Sequence, residues 1–203
     1  TAIAVHPHSG EVYVTGYTAS AGAFNGVGAD TRSNFSAAPL PALYDVFVAR
    51  LSADLTRVIH VAFLGGSGDD QAKAIAIHPA TGDVYLAGFT DSLDWPLGSD
   101  GGAPAQATTG GDGDAFVSRL SADLTVLRRS TYYGNSNHQY ASTMAIHAVS
   151  GEIYIAGGTR GPAPTDAGVA QPNYGSGSGN GFVSRFSADL GARLAATHLG
   201  DRK

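Results

Sequence analysis

The amino-acid sequence predicts an all-β fold built from three tandem copies of one unit. The first repeated phrase is FVSRLSADL and its variants, at 47–55, 116–124 and 182–190. The second is IAIHPATGDVYLAGFT and its variants, at 3–18, 75–90 and 144–159. The composition agrees, because 28 glycines and only 14% charged residues are typical of a turn-rich β protein. An internal repeat is the feature that any interpretation must first explain.

The first unit contains four segments with the alternation and β-branched residues of strands. They cover residues 2–6, 11–18, 45–51 and 56–64. The first pair is joined by His-Pro-His-Ser-Gly, and the second by Ser-Ala-Asp, both of which are turn sequences. Residues 19–44 are rich in Ala, Gly, Ser, Asn and Pro, and we expect a long loop there.

The other two units repeat this order. Their predicted strands are 72–78, 83–90, 114–120 and 125–133, then 141–147, 152–159, 181–186 and 192–199. From the start of strand three to the end of the next strand one, the spacing is constant at 31 residues. All length variation falls in the connection between strands two and three. The framework is therefore constant, and one loop per unit is variable.

A meander of four strands with apolar residues on both faces cannot bury both faces alone, so it must stack on its neighbours. Four-stranded repeats that stack face to face around an axis form the blades of a β-propeller. A β-solenoid has shorter repeats, and an immunoglobulin-like sandwich does not repeat a strand sequence. We therefore expect one propeller segment over 1–203, with blades at 1–66, 67–135 and 136–203.

Three blades do not close a ring, since propellers usually have four to eight. Either the chain is part of a longer protein of six to eight blades, or separate chains complete the ring as an oligomer. The first alternative is favoured, because open blade faces would expose apolar surface.

The segments 74–77 (AIAI), 84–90 (VYLAGFT), 114–117 (DAFV) and 63–66 (FLGG) resemble the SBBP, or beta-propeller repeat, family. The resemblance spans nearly the whole chain. It implies a bacterial protein that is extracellular, on the cell surface or periplasmic, and it transfers no catalytic residue. One departure is systematic, because the family usually has Asp where this chain has its three recurring turn histidines.

Several functional classes are excluded or disfavoured. The chain has no cysteine, which excludes disulfides and thiol chemistry. Its net charge of −5 and lack of a basic cluster argue against nucleic acid as a partner. No apolar run reaches the roughly 18 residues of a membrane span. Nucleotide, zinc-protease and serine-hydrolase motifs are absent from the sequence.

The variable loops and the linkers between units are expected on one face, where partners would bind. The candidate ligand-binding residues there are Asp91, Asp94, Trp95, His138 and Tyr140. Trp95 could be an exposed anchor, or it could pack its loop onto its own blade. The short Asp runs resemble pieces of calcium loops without the required Glu, so no metal ligand is assigned and no cofactor is expected beyond an open possibility of calcium.

Two sets of residues recur once per unit and are predicted to be structural. The histidines His6, His78 and His147 would bond the backbone of their hairpin turns, the alternative being a metal site on the central axis. The arginines Arg50, Arg119 and Arg185 would pair with the acids at strand two, Glu11, Asp83 and Glu152, or with the turn acids Asp54, Asp123 and Asp189.

The expected function is a non-enzymatic scaffold that presents variable loops to a protein or glycan partner. It could be a subunit of a surface or multisubunit assembly. The alternative is a propeller enzyme, a lyase or hydrolase, with its active site in the central channel. Strand one would line that channel, and its Ala-Ile-Ala sequence offers no catalytic side chains.

Overall fold

A computed structural model describes residues 1–20, 24, 31–36, 43–175 and 179–200. These residues form thirteen strands and no helix, in three sheets. Each sheet comes from one repeat, and none closes on itself within the described ranges. The predicted all-β class is confirmed. No helix long and apolar enough to cross a membrane occurs in this part of the chain.

Sheet one has the spatial order β1-β2-β4-β5-β3. Its strands are β1 (Ala2–Val5), β2 (Val12–Thr18), β3 (Thr31–Asn34), β4 (Asp45–Leu51) and β5 (Val58–Leu64). Sheet two is a meander of β6 (Asp70–Ile77), β7 (Val84–Thr90), β8 (Asp114–Leu120) and β9 (Leu127–Tyr133). Sheet three is a meander of β10 (Gln139–Ile146), β11 (Ile153–Thr159), β12 (Asn180–Phe186) and β13 (Arg193–Leu199). All twelve predicted strands are present.

The prediction of a loop over 19–44 is wrong at β3, which pairs in parallel with β5. Its sequence, TRSN, has no apolar alternation, and the strand is formed by backbone pairing with the edge of β5. Residues 21–23, 25–30 and 37–42 of this loop lie outside the described residues. The segment covers an outer edge that would otherwise expose unpaired backbone groups.

The three sheets stack, and a hydrophobic cluster fills each seam between them. Strand β7 shows how one sheet serves two seams. Val84 and Leu86 belong to the cluster shared with sheet one, whereas Tyr85 and Ala87 belong to the cluster shared with sheet three. The expectation that both faces of a unit are apolar and buried by neighbours is confirmed for sheet two. We call the face toward the following sheet the forward face, and the opposite one the rear face.

Each stack has two ends. At the turn end lie the hairpin turns 6–11, 78–83 and 147–152. At the loop end, strands β2, β7 and β11 finish and the variable loops begin. The recurring histidines lie at the turn end, and each Nδ1 accepts backbone N–H groups of its own turn. The closest such bonds are 3.1 Å from Ser9 to His6, 3.2 Å from Ala80 to His78 and 3.1 Å from Ser150 to His147. Their predicted turn role is confirmed.

The recurring arginines pair with the acid before strand two of their own sheet, as the first of the two predicted alternatives requires. Arg50 bonds Glu11 at 2.8 Å, and Arg119 Nε bonds the Asp83 carboxylate at 2.8 Å. The third pair, Arg185 and Glu152, is longer at 3.7 Å. These pairs link strands within a sheet and leave the turn acids for other partners.

Candidate functional site at the loop end

Buried aspartates at the loop end accept hydrogen bonds from backbone N–H groups of the loops and linkers. Asp114 is fully buried, and its carboxylate accepts the Gly110 N–H at 2.6 Å. It faces Gly134, where a Cβ atom would overlap the carboxylate. Asp45 faces Gly65 in the same way in sheet one. Asp114 therefore stabilises the turn before its strand, and ligand contacts must come from other, exposed groups.

Asp70 holds the linker between sheets one and two. Its carboxylate accepts the Gly66 N–H at 2.7 Å and the Ser92 hydroxyl at 2.8 Å. The side chain is fully buried, and this desolvation raises the pKa of Asp70 to about 7. Nearby Asp45 adds to the increase, and the hydrogen bonds oppose it. Asp70 therefore has a structural role in the linker.

An aromatic cluster lies at the loop end of each seam. At the first seam, the Tyr17 and Tyr44 rings meet edge to face at 5.2 Å, and Lys73 Nζ lies 4.7 Å from the Tyr17 centroid. At the second seam, His138 stacks on the ring of Phe89, the penultimate residue of β7, at 4.6 Å. Tyr17 and Phe89 occupy the same position in their repeats.

The second cluster continues from His138 to Tyr140, whose ring lies 6.0 Å away and is 39% exposed. Burial lowers the pKa of His138, and the Arg160 charge lowers it further while Asp91 opposes both, so the environment favours the neutral imidazole. The neutral ring acts as a third aromatic surface between Phe89 and Tyr140.

Three carboxylates connect the two clusters. Asp69 accepts the Tyr44 N–H at 3.0 Å, and its carbonyl accepts the Asp91 N–H at 2.9 Å. Partial burial raises the pKa of Asp91, and the charges of Asp69 and Asp112 raise it further, while His138 opposes them. We define the loop-end strip by its seven residues, which are Tyr17, Tyr44, Asp69, Asp91, Asp112, His138 and Tyr140.

Three of the five predicted site residues, Asp91, His138 and Tyr140, belong to the loop-end strip. Asp94 does not. Its carboxylate accepts the Ser67 N–H at 2.7 Å and the Ser67 hydroxyl at 2.9 Å, which lower its pKa. Asp94 therefore stabilises the linker, although it remains exposed.

Trp95 is 2% exposed and packs 4.3 Å from the Phe116 ring, while its backbone N–H donates to the Tyr132 hydroxyl. The interpretation of Trp95 as an exposed anchor is thus corrected. Its indole fills the seam between sheets one and two, since that burial removes a large apolar surface from water.

Sequence reasoning missed the tyrosines of the first cluster. Tyr17 looked like an ordinary strand residue, and Tyr44 looked like the end of a loop. A signal existed, because the penultimate residue of strand two is aromatic in units one and two and is Gly158 in unit three. The Tyr140 ring lies over Gly158, where a Cβ atom would approach the Tyr140 hydroxyl to 2.5 Å.

An open groove of about 800 Å³ adjoins the strip on sheet three. Tyr140, Arg160 and Asn180 line it, and its floor is formed by Gly157 and Gly158. Within the described ranges, no group of three His, Asp or Glu residues could hold a metal ion. The region therefore offers aromatic faces, hydrogen-bond acceptors and a few donors.

One contact resembles a catalytic pair, with Ser33 Oγ 2.9 Å from His60 Nε2. His60 is only 3% exposed, and burial lowers its pKa. The repeat explains its position, because the equivalent residue in sheet two, Arg129, reaches across the next seam to Asp189 at 3.0 Å. His60 thus stands where sheet two has a structural tie.

No known family model matches this chain, and neither does any curated protein.

Proposed function

We propose that the chain is a segment of a β-propeller of the SBBP type, made of three blades, that acts as a non-enzymatic binding scaffold outside the cytoplasm. The four-stranded meanders and their face-to-face stacking support the architecture, as do the equivalent hydrogen bonds from Tyr13 to Ala122 and from Tyr85 to Ala188 across successive seams. The resemblance of the repeat sequence supports the compartment. The constant framework holds the loop end, where the units differ.

The proposed ligand is a glycan, and the loop-end strip is the observation that carries this proposal. Tyr17, Tyr44 and Tyr140 are 39–43% exposed, and they flank a row of carboxylates. Ionised carboxylates only accept hydrogen bonds, so the ligand must supply donors. Sugar hydroxyls supply such donors, and the C–H faces of a sugar ring pack on tyrosine rings.

A basic protein segment is the other ligand class that presents donors and tolerates aromatic rings. The dependence of binding on salt concentration distinguishes a glycan from a basic protein segment. Contacts between lysine or arginine and the strip carboxylates would weaken as ionic strength rises, because exposed charges are screened within about 8 Å at 0.15 M salt. Binding of a neutral glycan would be nearly independent of salt.

The test is a glycan array followed by calorimetry of the best oligosaccharide. Tyr140→Ala and Asp91→Asn should each weaken binding by about tenfold or more, since a well-packed aromatic contact contributes about 1–2 kcal/mol. Val149→Ala is the matched control, because Val149 is 92% exposed in a turn at the opposite end. Absence of any glycan ligand, or equal losses in the control, would contradict the proposal.

A hydrolase remains the second candidate because of the Ser33–His60 contact. A fluorophosphonate probe, which labels activated serines covalently, distinguishes the two functions. The scaffold proposal expects no labelling. Labelling that disappears in both Ser33→Ala and His60→Gln would favour the enzyme.

A further inference from the structure

At the turn end, the same two contacts connect the sheets on either side of each seam. One is a tyrosine hydrogen bond, and the other is a contact between a histidine and a glycine. The Tyr13 hydroxyl donates across the first seam to the Ala122 carbonyl at 2.7 Å. The Tyr85 hydroxyl donates across the second seam to the Ala188 carbonyl at 2.5 Å. We call these turn-end contacts across a seam a joint. The forward half of each joint lies on the forward face of one sheet and carries the tyrosine. The rear half lies on the rear face of the next sheet and carries the alanine of the Ser-Ala-Asp turn.

The histidines complete the joint. His6 Nε2 packs against Gly82 of the next sheet, and a Cβ atom placed on Gly82 would lie only 2.9 Å from it. His78 Nε2 packs against Gly151 in the same way, at 2.5 Å from a Cβ atom placed there. A side chain at either glycine would push the turns apart. Both glycines also have positive φ, at 74° and 71°, so the turn conformation favours glycine as well.

Sheet three presents a forward half that no sheet covers in the described structure. Its tyrosine, Tyr154, lies 3.5 Å from Glu152 of its own sheet and crosses no seam. Its histidine, His147, is exposed, whereas His6 and His78 are half-buried. The surface around Tyr154 includes Val183 and Ala195, which line a shallow apolar depression.

Sheet one presents the matching rear half. The turn leucines Leu124 and Leu190 are fully buried in the two seams, but the equivalent Leu55 is 62% exposed. All three have the same left-handed backbone, with φ of 59–63°. Ile3 and Val5 of β1 are 66% and 59% exposed.

The equivalents of Ile3 and Val5 pack into the seams. They are Ile75 and Ile77 in sheet two, and Met144 and Ile146 in sheet three. The outer part of the rear face of sheet one is also arranged like a seam, because Phe24 packs 5.0 Å from Phe47 as Trp95 packs on Phe116. The exposed residues are thus those that a preceding sheet would cover.

We propose that a second copy of this chain occupies these surfaces, with the forward face of sheet three against the rear face of sheet one of the other copy. In this joint the Tyr154 hydroxyl donates to the Ala53 carbonyl, His147 lies against Gly10, and Leu55 becomes buried. A second copy is chosen because both complementary halves are present on this one chain.

Two such joints related by a two-fold axis close a ring of six sheets, within the usual size of propellers. The inference rests on the stacked-sheet part of the proposed function and not on its ligand. Glycan binding could therefore fail while the dimer persists.

The test is the mass of the full chain in solution, measured by light scattering across a concentration series. The expected result is a dimer. Leu55→Asp should weaken the dimer by about 100-fold, because it places a charge in each joint. This variant should fold, since Asp tolerates a positive φ, and circular dichroism checks it. Leu93→Asp, at a residue 74% exposed at the loop end, is the control and should leave the dimer intact.

A monomeric wild-type chain at all concentrations would overturn the proposal, and so would a dimer that Leu55→Asp does not weaken. Open polymers would overturn the closed ring. Because the chain has no cysteine, mixing Tyr154→Cys chains with Ala53→Cys chains gives a second test. A short bis-maleimide should join unlike chains, and pairing Tyr154→Cys with Leu93→Cys should not. Joining that is equal in both mixtures would also overturn the joint.

Discussion

Asp83 shows how burial determines what an ion pair contributes to the free energy of unfolding. Its side chain is 4% exposed and receives two arginines, Arg119 at 2.8 Å and Arg128 at 3.2 Å. The equivalent pair in sheet three, Arg185 and Glu152, is longer and solvent-exposed. A buried carboxylate that loses a partner keeps its desolvation cost, whereas an exposed one returns to water.

We therefore expect Arg119→Met to lower the free energy of unfolding by about 1.5–3 kcal/mol, as for a lost charged hydrogen bond. Arg185→Met is the matched control and should cost about 1 kcal/mol or less. Urea unfolding of both variants measures the difference. Glycan binding should be unchanged in Arg119→Met, and a loss of binding at unchanged stability would show that the arginine acts on the ligand.

Asp70 should make stability depend on pH. Its pKa of about 7 in the folded protein lies above the ordinary value of 3.8. Between these values the folded state binds more protons than the unfolded state, so stability falls as pH rises from about 4 through 7 and then levels off. This loss in the free energy of unfolding should be about 1 kcal/mol or more, and Asp70→Asn should abolish it.

The measurement is the difference in Tm between wild type and Asp70→Asn at pH 5 and pH 8. The amide should be tolerated, because sheet three has Gln139 at this position, with its side-chain oxygen accepting the Asn135 N–H. The Tm of Asp70→Asn, relative to that of the wild type, should be higher at pH 8 than at pH 5. A difference that is the same at both values would show that Asp70 does not titrate between them.

At the scale of elements, the Ser-Ala-Asp-Leu turn between strands three and four is the part that reaches the neighbouring sheet. Its leucine adopts a left-handed conformation that costs non-glycine residues roughly 1–2 kcal/mol. Burial of the side chain in a seam offsets that cost at Leu124 and Leu190. The turn is thus a packing element as well as a connection.

Leu124→Ala should destabilise the chain by about 2–5 kcal/mol, because it leaves a cavity in the first seam. Leu55→Ala makes the same substitution in the same turn at an exposed position, and in the monomer it should change stability by about 0.5 kcal/mol or less. Thermal unfolding at high dilution compares them. Equal losses would mean that the turn conformation, and not the seam, determines the role of the leucine.

The sequence predicted the twelve framework strands because each carries alternation and a recurring turn. It did not predict β3, because a short polar segment that pairs with an edge through its backbone leaves no side-chain pattern. Tyr140 and His138 were predicted by their place in a linker. Trp95 was in doubt because a loop residue can pack inward or outward, and only the fold decides. Tyr17 and Tyr44 are separated by the long loop, and only pairing of β2 with β4 brings them together.

At the scale of the whole molecule, the sheets differ in protection although their sequences are alike. Sheet two is covered on both faces, whereas sheet three has an open forward face. Stability in stacked repeats is approximately a sum of unit and interface terms. The middle unit should therefore open least often.

Hydrogen exchange should thus be slower in β7 and β8 than in β11 and β12, by about tenfold or more in dilute protein. These are the two central strands of each meander, so they are matched in backbone pairing. Mass spectrometry of peptic peptides measures the rates. Uniform protection of both sheets at dilutions where the chain is monomeric would contradict stacking as the source of stability.

The two-halved joint has a genetic consequence. Sheet two carries Tyr85 and His78 for the sheet that follows, and Gly82 and Leu124 for the sheet that precedes. One unit thus encodes both sides of every joint, so unequal recombination that duplicates or deletes a whole unit creates no unmatched seam. The number of units in such a gene can change in a single event without compensating mutations.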